Sequence, residues 1–354
     1  VSTLFTDTGL HVMAGGQYGS EGKGLLASWL AKRAIEENVP FNGVITSAGP
    51  NSGHTSYFGD RKIVLKQLPT FAVHMSLRNR NIPVYFSAGS VIDAEILVEE
   101  HLTFPDIPIF IHPCATVILE KDRVAENDAS GSIFAVAGTR SGTGAAISRK
   151  ILRDPSAIYY NHSHRLFPYF ENIVDLEYHP YFMEISQGFS LGLNEAKFYP
   201  HVTSRECTFM QGMADARLPP TYYKRGYLCF RTYPIRVGNA DGFSSGNWYT
   251  DQHEITWEDI GLPAEYTTVT KRVRRVATFS WNQFKDSVTA NDPTHVFLNY
   301  MNYFGTVDQL RFYEKHREVR DNELGENYKF IFGHGPRVEQ VGDQDSPRIE
   351  GVRT

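Results

Sequence analysis

The sequence predicts an α/β protein with a large, mostly parallel central sheet, helices on both faces and inserted loops. Three observations carry this prediction. A mostly apolar run, LHVMA (10–14), leads through a glycine-rich turn into a stretch with helical spacing. A second apolar run, GVITSA (43–48), ends in another glycine-rich turn, GPNSGHT (49–55). Strand-like runs recur near both ends of the chain. Strand, glycine loop, helix, strand is how a parallel βαβ layer begins.

Each element has its own signal. LHVMA is short and bounded by turn residues, as a buried strand is. LLASWLAKRAIEEN (25–38) sets Leu26, Trp29, Leu30 and Ile35 at helical spacing. GVITSA reads as the second strand. IPVYFSAGSVID, IPIFIHP, HVFLNYM (295–301) and YKFIFGHGP (328–336) read as further buried strands. Polar, glycine-containing stretches at 235–250 and 261–275 read as functional or inserted loops. With no internal repeat and no low-complexity linker, residues 1–354 are expected to form a single domain.

Composition narrows the partners. The 354 residues are 41% hydrophobic and 21% charged, ordinary for a protein with a substantial core. The net charge of −5 supplies no global basic field, so a nucleic-acid partner is not expected and any anion site must be local. Cys114, Cys207 and Cys229 are too few and too scattered for a disulfide framework or zinc cluster. No apolar run approaches the roughly 20 residues that span a bilayer, and the N-terminus does not read as a signal peptide. The expected location is cytoplasmic, with no membrane partner.

The chemistry concentrates in four stretches. GGQYGSEGKG (15–24) places glycines, Lys23 and a helix start together. Glycines let backbone amides approach a phosphate, the helix N-terminus favours an anion, and the lysine adds a point charge. Lys23 is followed by Gly24 rather than Ser or Thr, so this is not an ordinary P-loop NTPase. GPNSGHT follows the second strand and should open on the same sheet edge. His54 there is the acid–base candidate, or else a structural loop histidine. AGTRSGTGAAISRKILRD (137–154) enters a basic helix and reads either as a phosphate site using Thr139 and helix amides or as an ordinary cap. KRVRR (271–275) is either a solvated charged face or a pair of arginines aimed at a carboxylate or phosphate.

Taken together, these stretches resemble the adenylosuccinate synthetase family. The family's Gly-Asp-Glu-Gly-Lys-Gly is similar to Gly19-Ser20-Glu21-Gly22-Lys23-Gly24, and its Gly-His-Asn-Ala-Gly-His-Thr to Gly49-Pro50-Asn51-Ser52-Gly53-His54-Thr55. Its Glu-Gly-Ala-Gln-Gly resembles Glu184-Ile185-Ser186-Gln187-Gly188. YPHVTS (199–204), Ile235-Arg236-Val237-Gly238-Asn239 and Val269-Thr270-Lys271-Arg272-Val273-Arg274 match further family segments in order. The resemblance implies a P-loop-related fold and a ligase that joins L-aspartate to C6 of a purine nucleotide, driven by a nucleoside triphosphate and Mg²⁺.

The same resemblance implies residue roles. Gly19, Glu21, Gly22, Lys23, Gly24, Gly53, His54 and Thr55 would surround the transferred phosphate. Mg²⁺ would lie near Gly53 and the position of Ser20. His54 would be the general acid toward O6, with Lys23 and Gln187 as its catalytic neighbours. Asn51, Thr139, Gln187 and Thr203 would hold the purine nucleotide, with Val237 and Arg272 near its sugar. Thr270, Arg272 and Arg274 would cradle aspartate. Asn299, Tyr300, Asn302, Gly335 and Pro336 would contact the donor nucleotide. Arg153 would reach across a homodimer to the 5′-phosphate.

Departures from the family pattern sharpen the reading. Ser20 stands where the family has the aspartate that serves as base and metal ligand, and a serine hydroxyl does neither as a charged group. A viral subgroup of 2-aminoadenylosuccinate synthetases shares this altered loop and acts on dGMP. This implies dGMP as substrate, Ser20 facing it, and production of a 2,6-diaminopurine precursor in the host cytoplasm. Asn299, Tyr300 and Asn302 lie where the family reads guanine with an aspartate, which implies ATP or dATP as donor, the other reading being that they are strand-end packing. Thr139-Arg140 replaces a double threonine, and Gly335-Pro336-Arg337 is a shortened family motif. The competing readings are an ordinary synthetase acting on IMP and a nucleotide-binding regulator without catalysis.

Overall fold

The computed structural model describes residues 4–343 apart from 132–133, 135, 137, 163–166, 174, 241, 268–270 and 326–327. Nine strands form the central sheet: β1 (Gly9–Gly15), β2 (Gly43–Thr46), β3 (Val84–Phe86), β4 (Ile109–Ile111), β5 (Pro180–Gly188), β6 (Tyr223–Arg231), β7 (His295–Asn299), β8 (Lys329–Gly333) and β9 (Val341–Gly342). Their order is β9-β8-β7-β6-β1-β5-β2-β3-β4. Every pairing is parallel except the β8–β9 edge. This is the expected α/β class.

The sheet is covered on both faces. Met13 of β1 packs with Leu26 and Leu30 of helix α1 (Lys23–Glu36), Val44 and Phe86. Its neighbours Val12 and Ala14 pack on the other side with Ile45, Met183, Leu228 and Phe284. Alternate residues of one strand thus feed two cores, which is why β1 reads as a continuous apolar run rather than an alternating one.

Of the six expected strands, β1 extends one residue beyond LHVMA at each end and the other five are shorter than their apolar runs, and α1 begins two residues earlier than its apolar spacing suggests. Both immediate neighbours of β1, strands β5 and β6, escaped the sequence reading. In β5 the run is broken by Glu184, which is only 2% exposed. A carboxylate in mid-strand contradicts the apolar pattern, and it is there for the site. The described residues of the stretches 235–250 and 261–275 are mostly loop, and their ends join Glu254–Ile255 in a small three-stranded sheet of Ile235–Arg236, Glu254–Ile255 and Arg275–Ala277. No helix among the described residues is long and apolar enough to cross a membrane.

Candidate functional site

Parallel strands bring their C-terminal ends to one edge, and the loops leaving that edge build the site. They enclose a cleft of about 470 Å³ lined by the loops after β1, β2, β5 and β6 together with segments around Thr139, Thr203 and Arg274.

The loop after β1 is held by its own charges. Gly19, Ser20 and Gly22 all have positive φ, at 91°, 61° and 88°. Gly22 caps α1, and a Cβ there would strike the Asn299 side chain, so the turn requires glycine. Glu21 is fully buried, and its Oε1 accepts the N–H groups of Gln17 (3.1 Å) and Gly19 (2.7 Å). Lys23 donates to Glu21 Oε2 at 2.9 Å and to the Gln187 carbonyl at 2.6 Å. Gln187 presents that carbonyl from a left-handed backbone, φ 68°. Ser20 is exposed at the cleft.

His54 opens the strand His54–Phe58 of a hairpin beside α1. Its Nδ1 lies 3.3 Å from Glu184 Oε2, and Glu184 Oε1 accepts the Phe71 N–H. His54 Nε2 is buried without a hydrogen-bond partner. An imidazole oriented by a carboxylate on one nitrogen and unpartnered on the other is arranged as a proton donor or acceptor toward a ligand.

Of the residues singled out from the sequence, Gly19, Ser20, Gly22, Lys23, Gly24, Asn51, Gly53, His54, Thr55, Thr139, Gln187, Thr203, Val237, Arg274 and Tyr300 line this cleft. Asn51 Nδ2 and Thr203 Oγ1 are 3.5 Å apart. Arg272 stands beside the wall, with Nη1 3.5 Å from the Gly238 carbonyl. Thr270 lies outside the described residues. Glu21, Asn302, Gly335, Pro336 and Arg153 do not line the cleft.

Two expectations need correction. The Asn299 amide is 3% exposed and donates to the Glu21 carbonyl at 3.1 Å, so it pins the phosphate loop and is not free to read a base. The helix Thr143–Ile151 does not offer its N-terminal amides to a phosphate. The Glu126 carboxylate already accepts the N–H groups of Gly142 (2.7 Å), Gly144 (2.7 Å) and Ala145 (3.1 Å). A buried carboxylate suits the positive end of a helix, and nothing in the spacing of Glu126 from Gly142 announces the contact. What remains open to a ligand there are the Thr139, Ser141 and Thr143 hydroxyls.

The electrostatics follow. Lys23, Arg140, Arg236 and Arg274 line the cleft, and Glu126 is the one Asp or Glu among its described lining residues. Glu126 is spent on helix amides, so the described lining is cationic inside an acidic chain and, among the described residues, offers no carboxylate free to act as base. Sequence reading also missed Arg231 and Glu265 behind the wall. Arg231 donates to Glu265 at 2.6 Å and to the Ser20 carbonyl at 3.3 Å. Burial works against the Arg231 charge, yet the Glu265 carboxylate raises its pKa further above the ordinary value. Burial likewise opposes the Glu265 charge, and the Arg231 guanidinium outweighs it and holds the carboxyl below its usual range.

The family model described as adenylosuccinate synthetase matches residues 12–167 and 171–330. The N6-succino-2-amino-2′-deoxyadenylate synthase of Salmonella phage PMBT28 is 36% identical, covering 82% of this chain and 85% of that protein. Its counterpart from cyanophage S-2L is also 36% identical, over 92% and 90% of the two chains. The solved cyanophage S-2L succinoaminodeoxyadenylate synthetase, bound to dGMP and dATP as an energy donor, superposes with a TM-score of 0.82 at 32% identity and 96% coverage of both chains.

Proposed function

The chain belongs to the adenylosuccinate synthetase family, and from that premise we propose that it is a ligase joining L-aspartate to C6 of dGMP, with ATP or dATP as phosphoryl donor. The observation that carries the choice of purine is Ser20. It is exposed at the cleft on a loop whose one acid, Glu21, is committed to Lys23 and two amides. A purine whose C2 bears an amino group would meet a neutral hydroxyl there instead of a carboxylate. The 36% identity to phage enzymes named for that product supports the same reading.

The reaction runs in two substitutions. Guanine O6 attacks the γ-phosphorus, the bond to the donor's diphosphate breaks, and the N1 proton leaves. With no free carboxylate among the described lining residues, that proton passes to a phosphate oxygen or to water. The aspartate amine then adds to C6, the O6 phosphate departs, and the amine loses a proton. Lys23 neutralises the phosphate in flight, and His54, held at Nδ1 by Glu184, offers Nε2 to the oxygen that carries developing charge. Most of the work is positioning and charge neutralisation.

Mg²⁺ fits the donor atoms present as a companion of the phosphates. Among the described residues, no group of three or more His, Cys, Asp or Glu side chains could hold a metal. Mg²⁺ commonly keeps water and substrate phosphates as ligands, and Gly53, through its carbonyl, and Ser20, through its hydroxyl, are the cleft residues that would add protein oxygens to them. When bound, it would offset the charge of the triphosphate.

A homodimer completes the reading. Arg153 is exposed and away from its own cleft, next to Ile151 and Leu152, exposed by 70% and 77%, and Val124, exposed by 62%, lies on the helix Glu120–Glu126 that packs against Thr143–Ile151. Bare apolar side chains of this kind favour a covered surface, and a partner there would let Arg153 serve the neighbouring nucleotide. The overall proposal is tested by phosphate release from ATP with Mg²⁺, requiring dGMP and aspartate together, with the succinylated product identified by mass. Release at background with all reactants present would leave the non-catalytic regulator as the better reading.

A further inference from the structure

Behind the cleft, one carboxylate joins three parts of the site that sequence treats separately. Glu265 Oε1 accepts from Arg231 Nη2 at 2.6 Å and from the Tyr303 hydroxyl at 3.1 Å. Its Oε2 accepts from Arg231 Nη1 at 3.2 Å and from Arg274 Nη1 at 3.4 Å. The Arg274 N–H also donates to the Glu265 carbonyl at 2.8 Å. Arg231 has a side chain with 0% exposure, its guanidinium carbon 4.2 Å from the centre of the Tyr300 ring and one nitrogen on the Ser20 carbonyl.

The charge count decides what this cluster can do. Two guanidinium groups share one carboxylate, leaving one positive charge uncompensated within it. Arg231 is wholly enclosed and takes both oxygens of Glu265. Arg274 lines the cleft, touches Glu265 through Nη1 alone, and has the rest of its planar fork for another carboxylate. A long, flexible arginine held at one nitrogen loses less entropy on binding than a free one.

We propose that Glu265 is a positioning residue for the co-substrate. It holds Arg274 ready to receive a carboxylate of L-aspartate and, through Arg231, ties that arginine to the backbone of the phosphate loop at Ser20. The assignment rests on the reading that Arg274 receives aspartate. It adds a residue that touches no substrate and sets the affinity for one of three.

The charge and the geometry are separable by two substitutions. Glu265→Gln keeps the shape, removes the negative charge and turns an N–H₂ toward one of the arginines. Tyr303→Phe removes the one hydrogen bond that an uncharged side chain donates to Glu265 and leaves every charge, so it disturbs the fold less than the first variant does. Steady-state KM values for aspartate, dGMP and ATP are measured for both and for the wild type, with melting temperatures. Glu265→Gln is expected to raise the aspartate KM about tenfold or more, and Tyr303→Phe by about two- to fivefold. The dGMP KM stays within about twofold in each, as a purely structural role would not allow. An unchanged or lowered aspartate KM in Tyr303→Phe, or a rise of all three KM values together, overturns the proposal. Wild-type turnover that does not depend on aspartate removes the reading beneath it instead.

Discussion

The Lys23 ammonium lies 2.9 Å from the Glu21 carboxylate, and the two side chains are 4% and 0% exposed. On the proposed function, this pair would hold the positive charge of the loop after β1 against a local partner until a phosphate arrives. Removing one member of such a buried pair strands the other. Lys23→Ala is expected to lower kcat/KM by about 10³ or more, measured as phosphate release. Activity within tenfold of wild type would show that Lys23 does not face the transferred phosphate.

His54 is oriented by Glu184 at 3.3 Å and has an unpartnered Nε2. His54→Asn should lower kcat by about 10²–10⁴ while leaving the dGMP KM near its original value. Glu184→Gln should lower kcat in the same direction by less, because the imidazole remains but is less firmly oriented. A loss confined to KM would make His54 a binding group only.

Four buried histidines predict how the fold responds to acid. Burial lowers the pKa of His11, His74, His295 and His316 from 6.5 to about 3. Once unfolded, each binds a proton below its ordinary pKa, whereas folded they stay neutral down to about 3. The unfolded state therefore holds more protons in this window, so stability falls as pH drops from about 6.5 toward 3. Urea midpoints across that range should decline steadily. A midpoint flat from pH 7 to pH 4.5 would contradict these burial shifts.

The donor site gives a reversible test of base choice. Asn302 is exposed, beyond the Asn299 amide that anchors the loop. Asn302→Asp restores a carboxylate able to accept two guanine N–H groups, and GTP should gain about tenfold or more in kcat/KM relative to ATP. In the wild type, GTP turnover equal to that of ATP would refute the assignment of an adenine donor.

Much of this site was legible because glycine loops and charged residues at strand ends leave strong local signals. Lys23 and His54 stand out that way, Gln187 and Thr203 only through the resemblance to the family, and all four line one cleft. What stayed hidden depends on long-range pairing. Glu184 disguises β5 by placing a charge inside a buried strand. Glu126 reaches a helix 16 residues away, and Glu265 acquires its meaning only from Arg231, 34 residues earlier. Asn299 lies at the strand end where the family resemblance places a reader of the base. Only the structure shows its amide turned under the loop.

The central claim is that a neutral residue at position 20 goes with a 2-aminopurine substrate. Ser20 already occupies the left-handed region at φ 61°, which aspartate tolerates, so Ser20→Asp changes chemistry with little backbone strain. The direct measurement is kcat/KM for dGMP, GMP and IMP, side by side, in the wild type and in Ser20→Asp. The account predicts that the wild type prefers dGMP to IMP and that Ser20→Asp loses dGMP turnover while gaining on IMP. A wild type that prefers IMP, or a Ser20→Asp variant severalfold faster on dGMP without any gain on IMP, would contradict it.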